Sequence, residues 1–155
     1  MTDTAQKSDP AYDLAVVGAG PVGTSLAILA AQRGFSVVLV DARDPDAPPR
    51  EDTRTFAIVR GSWRLLDAVG ITGDLSGLTE PLNGLEAVDG GRHWFGAPGV
   101  LFGTDDLPED DADQPLGQMV PAGALQAALD SACARTDGLE WIRGRLFAQM
   151  ETLPG

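Results

Sequence analysis

Gly18, Gly20 and Gly23, with Asp41 following 18 residues after Gly23 (41 minus 23), punctuate the uninterrupted run YDLAVVGAGPVGTSLAILAAQRGFSVVLVDAR over residues 12–43. A strand that opens through G-x-G-x-x-G into a helix, then a second strand ending in an acid, is the arrangement that holds the diphosphate and ribose of a dinucleotide. Gly18 permits the tight turn out of the strand, Gly20 lets the backbone approach the diphosphate, and Gly23 lets the helix lie against the sheet. Pro21 brings a preset φ and no N–H to the first helical turn, so Val22 and the other amides there face the phosphates together with the positive end of the helix. Asp41 closes the second strand where a carboxylate can accept from both ribose hydroxyls, with Ala42 and Arg43 beside it. An acid there argues against a 2′-phosphate and leaves the adenosine end of FAD or of NAD. The unit alone does not choose between them.

The elements that must position these residues follow from hydrophobic periodicity. Residues 12–17 and 36–40 are nearly continuous aliphatic and β-branched runs, the pattern of parallel strands covered on both faces, with a helix over 26–33 between them. DPDAPP, residues 44–49, is a loop because its prolines remove donors and restrict their predecessors. Apolar residues at Val59, Trp63, Leu66 and Val69 predict a helix over 59–69 ending at Gly70 as a left-handed cap, with Trp63 in the core. Between 82 and 102 the pattern shortens to strand-like pieces with Asp89-Gly90-Gly91 as hairpin turn, an antiparallel insertion. Val120 leads into a helix over about 122–135, and short strands are expected at 139–142 and 145–150.

Composition bounds the chemistry further. The 155 residues, 43% of them apolar, suffice for one domain burying roughly two-thirds of its unfolded surface. A net charge of −12, from 23 acids against 11 bases, disfavours nucleic acid and anionic lipid as direct partners. The acidic run at 105–113 lacks the glycine and terminal glutamate of a calcium loop and reads as a solvated loop. Cys133, the single cysteine, sits in a helical run and reads as a small core residue. His93, the single histidine, has no second histidine or nucleophile in its segment, which excludes triads and histidine-rich metal sites. No metal site is expected. Residues 1–11 lack the basic start and apolar stretch of a signal peptide, and no apolar run reaches about 18 residues, so a cytoplasmic setting is expected.

The stretch EDTRTFAIVRGSWRLLDAVGI, residues 51–71, carries a more specific signal. Asp52 and Arg54 match a D-x-R-type segment, Ala57 and Ile58 the A-[IL] start and Leu65 and Leu66 the L-L pair of the helix that follows it, and Gly70 its terminal glycine. Here, and through almost the whole chain, the sequence resembles the flavoprotein aromatic hydroxylases of the ubiquinone-biosynthesis family, which are para-hydroxybenzoate-hydroxylase-like monooxygenases. The resemblance implies an α/β fold: a Rossmann-like FAD-binding domain with a parallel sheet and an inserted antiparallel segment, incomplete at its C-terminus. It further implies that Arg54 approaches FAD as a cation and fork donor, and that Gln118, in LGQMVPAGALQAAL, lies beside the cofactor. FAD is thus the implied cofactor, NAD(P)H the transient reductant, O2 the co-substrate and an aromatic, polyprenylated ring in some members the substrate, with no catalytic side chain assigned.

The departure from that family is length. The A-D-G segment, the G-D-A-x-H motif and the closing strands of its members have no counterpart here. Residues 1–11 are therefore expected to be a disordered lead and residues 12–155 the amino-terminal part of an FAD domain, with 82–120 belonging to the substrate-side insertion. Two other readings stay open at this point: a noncatalytic nucleotide-binding module, and another FAD- or NAD-dependent oxidoreductase sharing the first unit.

Overall fold

β-branched and aliphatic side chains fit a pleated surface covered by helices, and the strands nearest the glycine turn are built from them. A computed structural model describes residues 11–47, 52–89, 99–107 and 114–151. His93, the Gly90-Gly91 turn, most of the acidic run, the prolines at 48 and 49 and residues 1–10 lie outside the described residues. Along the chain the elements are β1 (Leu14–Val17), α1 (Pro21–Gln32), β2 (Val37–Asp41), β3 (Thr55–Val59), α2 (Arg60–Val69), β4 (Glu80–Leu82), β5 (Gly84–Val88), β6 (Gly99–Gly103), β7 (Gly117–Pro121), α3 (Ala122–Ala134) and β8 (Leu139–Arg143). The α/β class expected from the sequence is borne out.

Two units divide the chain, Met1–Pro49 with Leu129–Gly155, and Arg50–Ala128. In the first, β1, β2 and β8 form a three-stranded sheet in the order β1-β2-β8, parallel throughout. β2 is central, and Val37, Val38 and Leu39 are all buried, as a strand flanked on both sides and covered on both faces requires. α1 adds Ala27, Ile28 and Ala31 to that core, and the carboxyl half of α3 adds Leu129, Ala132 and Cys133. β1 differs from the expectation: only Val16 is buried, whereas Val17 is 54% exposed, because β1 is the outer strand of this sheet. The first helix also begins earlier than the expected 26–33, at Pro21, since Gly20 already has the extended geometry of an N-cap.

The second unit holds an antiparallel sheet in the order β3-β7-β4 and the two-stranded pair β5-β6. Its core gathers Leu66, Val69, Ile71, Leu75, Val120 and Leu125, each worth about 1.5–3 kcal/mol when fully buried. Gly70 caps α2 with φ of +87°, as read from the sequence. Two expectations are corrected. Ala57 and Ile58 are strand residues of β3, not the start of a helix, which begins at Arg60 after the extended Val59. Residues 145–150 form no strand, and Leu146, Phe147 and Met150 stand exposed, since strand-forming side chains without a pairing edge gain nothing from extension.

Gly117 is required by packing. A Cβ there would lie 2.2 Å from the Ile58 carbonyl oxygen and 2.9 Å from the Val59 Cα, both backbone atoms of the paired strand. Gly117→Ala is expected to cost about 1–3 kcal/mol through displacement of β3, read as a fall in the denaturant midpoint.

Candidate functional site

The first unit delivers the glycine turn to the carboxyl end of its parallel strands, the position where open α/β sheets bind ligands. The Gly18 N–H donates to the Val40 carbonyl at 2.7 Å, and the chain then turns with Gly18 at φ +99°, a left-handed conformation that favours glycine. Gly23 sits so close to the turn that a Cβ would lie 2.0 Å from the Gly18 oxygen, which is the close helix–strand packing expected of it. At Gly20, as at Gly18, nothing lies within 4 Å of a Cβ, but the Gly20 backbone is extended rather than left-handed. Pro21 occupies the first turn of α1, no side chain caps that turn, and no acid lies in it. Val22 is 84% exposed beside it. The amides of the helix start are thus left for an anion.

Asp41 terminates β2 with a carboxylate only 12% exposed. Its Oδ2 accepts from the Ala19 amide at 2.7 Å, and its Oδ1 accepts from the Arg43 amide at 2.9 Å and Arg43 Nε at 2.8 Å. Burial alone would raise its pKa, but these donors outweigh burial and hold the carboxyl below its ordinary 3.8. Ala42, between them, is exposed. Arg43 donates Nη2 to the Ala19 carbonyl at 3.0 Å, packs 5.6 Å over the Trp141 ring, and reaches Asp130 on α3. Burial would lower the Arg43 pKa, yet its bonds to Asp41 and Asp130 raise it. The Cys133 thiol is buried, which pushes it up to about 11 and leaves it a core group.

These eight sequence-expected residues, Gly18, Gly20, Pro21, Val22, Gly23, Asp41, Ala42 and Arg43, therefore share one unit and one end of its sheet. Arg54 and Gln118 belong to the second unit. Arg54 is 73% exposed and bonds Asp52 through Nε at 2.9 Å and Nη2 at 2.7 Å. That fork holds the Asp52 carboxyl down to about 2. Gln118 lies on β7 opposite Ile58, whereas Arg54 precedes the Thr55–Pro121 end of the same pairing, so the two are not brought together within their sheet. Gln118 instead lines a cleft of about 120 Å³ with Arg60, Trp63 and Gln114. Trp63 is half-buried at that cleft rather than sunk in the core as its helical spacing suggested. No motif signals Asp130, whose place beside Arg43 depends on how α3 returns to the end of β2.

The depressed Asp41 pKa carries a pH expectation. A carboxylate stabilised in the folded state contributes fully above its unfolded value of 3.8 and loses that contribution as pH falls through its lower folded value. Ligand affinity that depends on the ionised acid is thus expected to stay flat from pH 8 to about 5 and to fall only below about 4. Titration of the purified protein with FAD across that range checks it.

Residues 13–71, which hold the glycine turn, match the family described as FAD dependent oxidoreductase. The chain is 35% identical over 124 residues to ubiquinone hydroxylase UbiL of Rhodospirillum rubrum, a match covering 79% of this chain and 27% of that protein. Among solved structures it is similar to the Diels-Alderase PyrE3, with a TM-score of 0.65, 22% identity and coverage of 91% of this chain and 27% of that one. It is also similar to p-nitrophenol 4-monooxygenase PnpA of Pseudomonas putida DLL-E4, with a TM-score of 0.61, 20% identity and coverage of 84% and 31%. The structural likenesses show the fold. The resemblance read from residues 51–71 and the glycine turn is borne out at this level, and the chain spans about a quarter of the length of the hydroxylase it matches.

Proposed function

We propose that the protein to which this chain belongs is an FAD-dependent monooxygenase that hydroxylates an aromatic ring, with a ubiquinone-biosynthesis intermediate as substrate class, NAD(P)H as reductant and O2 as co-substrate. This chain supplies the adenosine-diphosphate end of the flavin site. The observation that carries the reading is the open space ahead of Gly20 at the uncapped start of α1, with Asp41 at the adjoining strand end. These residues fit the group. The amides of the first helical turn would hold the diphosphate, Asp41 a ribose hydroxyl, and Arg43 the position of that carboxylate. Redox and oxygen chemistry are supplied by the flavin when it is bound. Arg54 and Gln118 are proposed to meet the cofactor as well, the first as a cation for the diphosphate and the second as an uncharged donor and acceptor. No helix among the described residues is long and apolar enough to cross a membrane, and a cytoplasmic setting is part of the proposal.

Support for the hydroxylase chemistry comes from the 35% identity to UbiL rather than from the fold, since PyrE3 shares the fold and is named for a cycloaddition. The test is direct. Purified full-length protein is expected to be yellow, to quench flavin fluorescence on titration, and to oxidise NAD(P)H faster when an aromatic substrate is present. A colourless protein that ignores FAD and binds NADH tightly overturns the reading.

A further inference from the structure

Asp130 lies in α3 and faces the loop that follows β2 within the first unit. Its Oδ2 accepts from Arg43 Nη1 and its Oδ1 from Arg43 Nη2, both at 3.3 Å, a two-pronged fork. The other donors of the same guanidinium are turned inward, Nε to Asp41 and Nη2 also to the Ala19 carbonyl. Ala19 in turn sends its own amide back to Asp41. Both polar groups of Ala19, the 1%-exposed residue between Gly18 and Gly20, are therefore held by Asp41 and Arg43. The two bonds fix the peptide planes on either side of Ala19, so a flip of either plane would break one of them. An arginine side chain has several rotatable bonds, and Arg43 is 43% exposed, so its bonds through Nε to Asp41 and through Nη2 to the Ala19 carbonyl leave Nη1 to be held from elsewhere. Asp130 supplies that restraint, and the Trp141 ring beneath closes the remaining side.

From this geometry, and resting on the FAD reading above, we infer that Asp130 is a positioning residue for the adenosine-diphosphate half of the cofactor. Acting through Arg43, it locks the Ala19 backbone and the Asp41 carboxylate in the single arrangement that meets diphosphate and ribose together. The role is separable from folding. An exposed ion pair contributes little to stability, whereas a binding turn released from its brace must be ordered again each time ligand binds.

The experiment uses the full-length apoprotein titrated with FAD and, separately, with ADP, which presents only the half that meets the turn. Asp130→Asn is expected to weaken both ligands by roughly tenfold, the order of one charge-assisted hydrogen bond. The denaturant midpoint of the apoprotein stays near wild type. Arg43→Gln weakens both ligands at least as much, and the double variant is no weaker than Arg43→Gln alone, since Asp130 acts through that side chain. Unchanged affinity in Asp130→Asn overturns the inference, as do strictly additive losses or a loss matched by a fall in apoprotein stability. Tighter binding also overturns it, being the result if Asp130 only withholds the Arg43 charge from the phosphates. A wild-type protein that binds FAD but shows any of these outcomes retains the cofactor reading, whereas one that binds neither ligand loses both.

Discussion

Gly20→Val is expected to strip the protein of FAD while leaving it folded. The backbone at Gly20 has φ −76° and ψ 176°, an extended conformation open to any residue, and a Cβ there meets nothing within 4 Å. The fold therefore has no use for glycine at this position. A branched side chain would occupy the space ahead of the first turn of α1 and hold the diphosphate away from the amides. Two hydrogen bonds to a charged acceptor, at about 1.5–3 kcal/mol each, correspond to more than about a hundredfold in affinity. Gly23→Ala provides the contrast. Its Cβ would lie 2.0 Å from the Gly18 oxygen, so helix and turn must separate, at about 1–3 kcal/mol of stability as well as flavin. Far-UV dichroism, thermal denaturation and flavin absorbance on the two variants distinguish the roles. Undiminished flavin in Gly20→Val removes the diphosphate assignment.

That contrast shows what could be read before the structure was known. The three glycines occupy spacings whose steric demands differ, and the structure gives each the environment its demand predicts: positive φ at Gly18, open space at Gly20, backbone contact at Gly23. Local pattern carried less well where two periods overlap. In TFAIV the half-buried Phe56 and Ile58 alternate with exposed neighbours, a strand signal, but the helical spacing of Val59, Trp63, Leu66 and Val69 starts inside it and drew the helix boundary forward. Exposure of β1 was illegible for another reason. Its run is as continuously apolar as that of β2, and only the order β1-β2-β8 decides which is central. Asp130 was out of reach of any motif, because 87 residues separate it from Arg43 and tertiary packing alone joins them.

The outer position of β1 leads to the second large effect: residues 1–155 expressed alone are expected to self-associate. The Leu14 amide donates to the Ser36 carbonyl and the Gly18 amide to the Val40 carbonyl, so the intervening alternate residues, Ala15 and Val17, direct their main-chain groups away from β2. Among the described residues no strand pairs with that side. The edge LAVV carries no lysine, proline or bulge of the kind that discourages pairing with another chain, and Ala15 and Val17 are both exposed along it. Unpaired amides and carbonyls flanked by apolar side chains form a template for intermolecular strand addition. Val17→Lys places a charge on the exposed edge and is expected to restore much of the monomer while leaving the buried Val16 untouched. Size-exclusion chromatography and sedimentation velocity of the 155-residue chain, its Val17→Lys variant and the full-length protein provide the comparison. A monodisperse, cooperatively unfolding wild-type segment that retains FAD would refute the edge argument, and equal aggregation in Val17→Lys would move the cause away from β1 to the exposed apolar residues of β5 and β6, where Leu85, Leu101 and Phe102 stand at the surface.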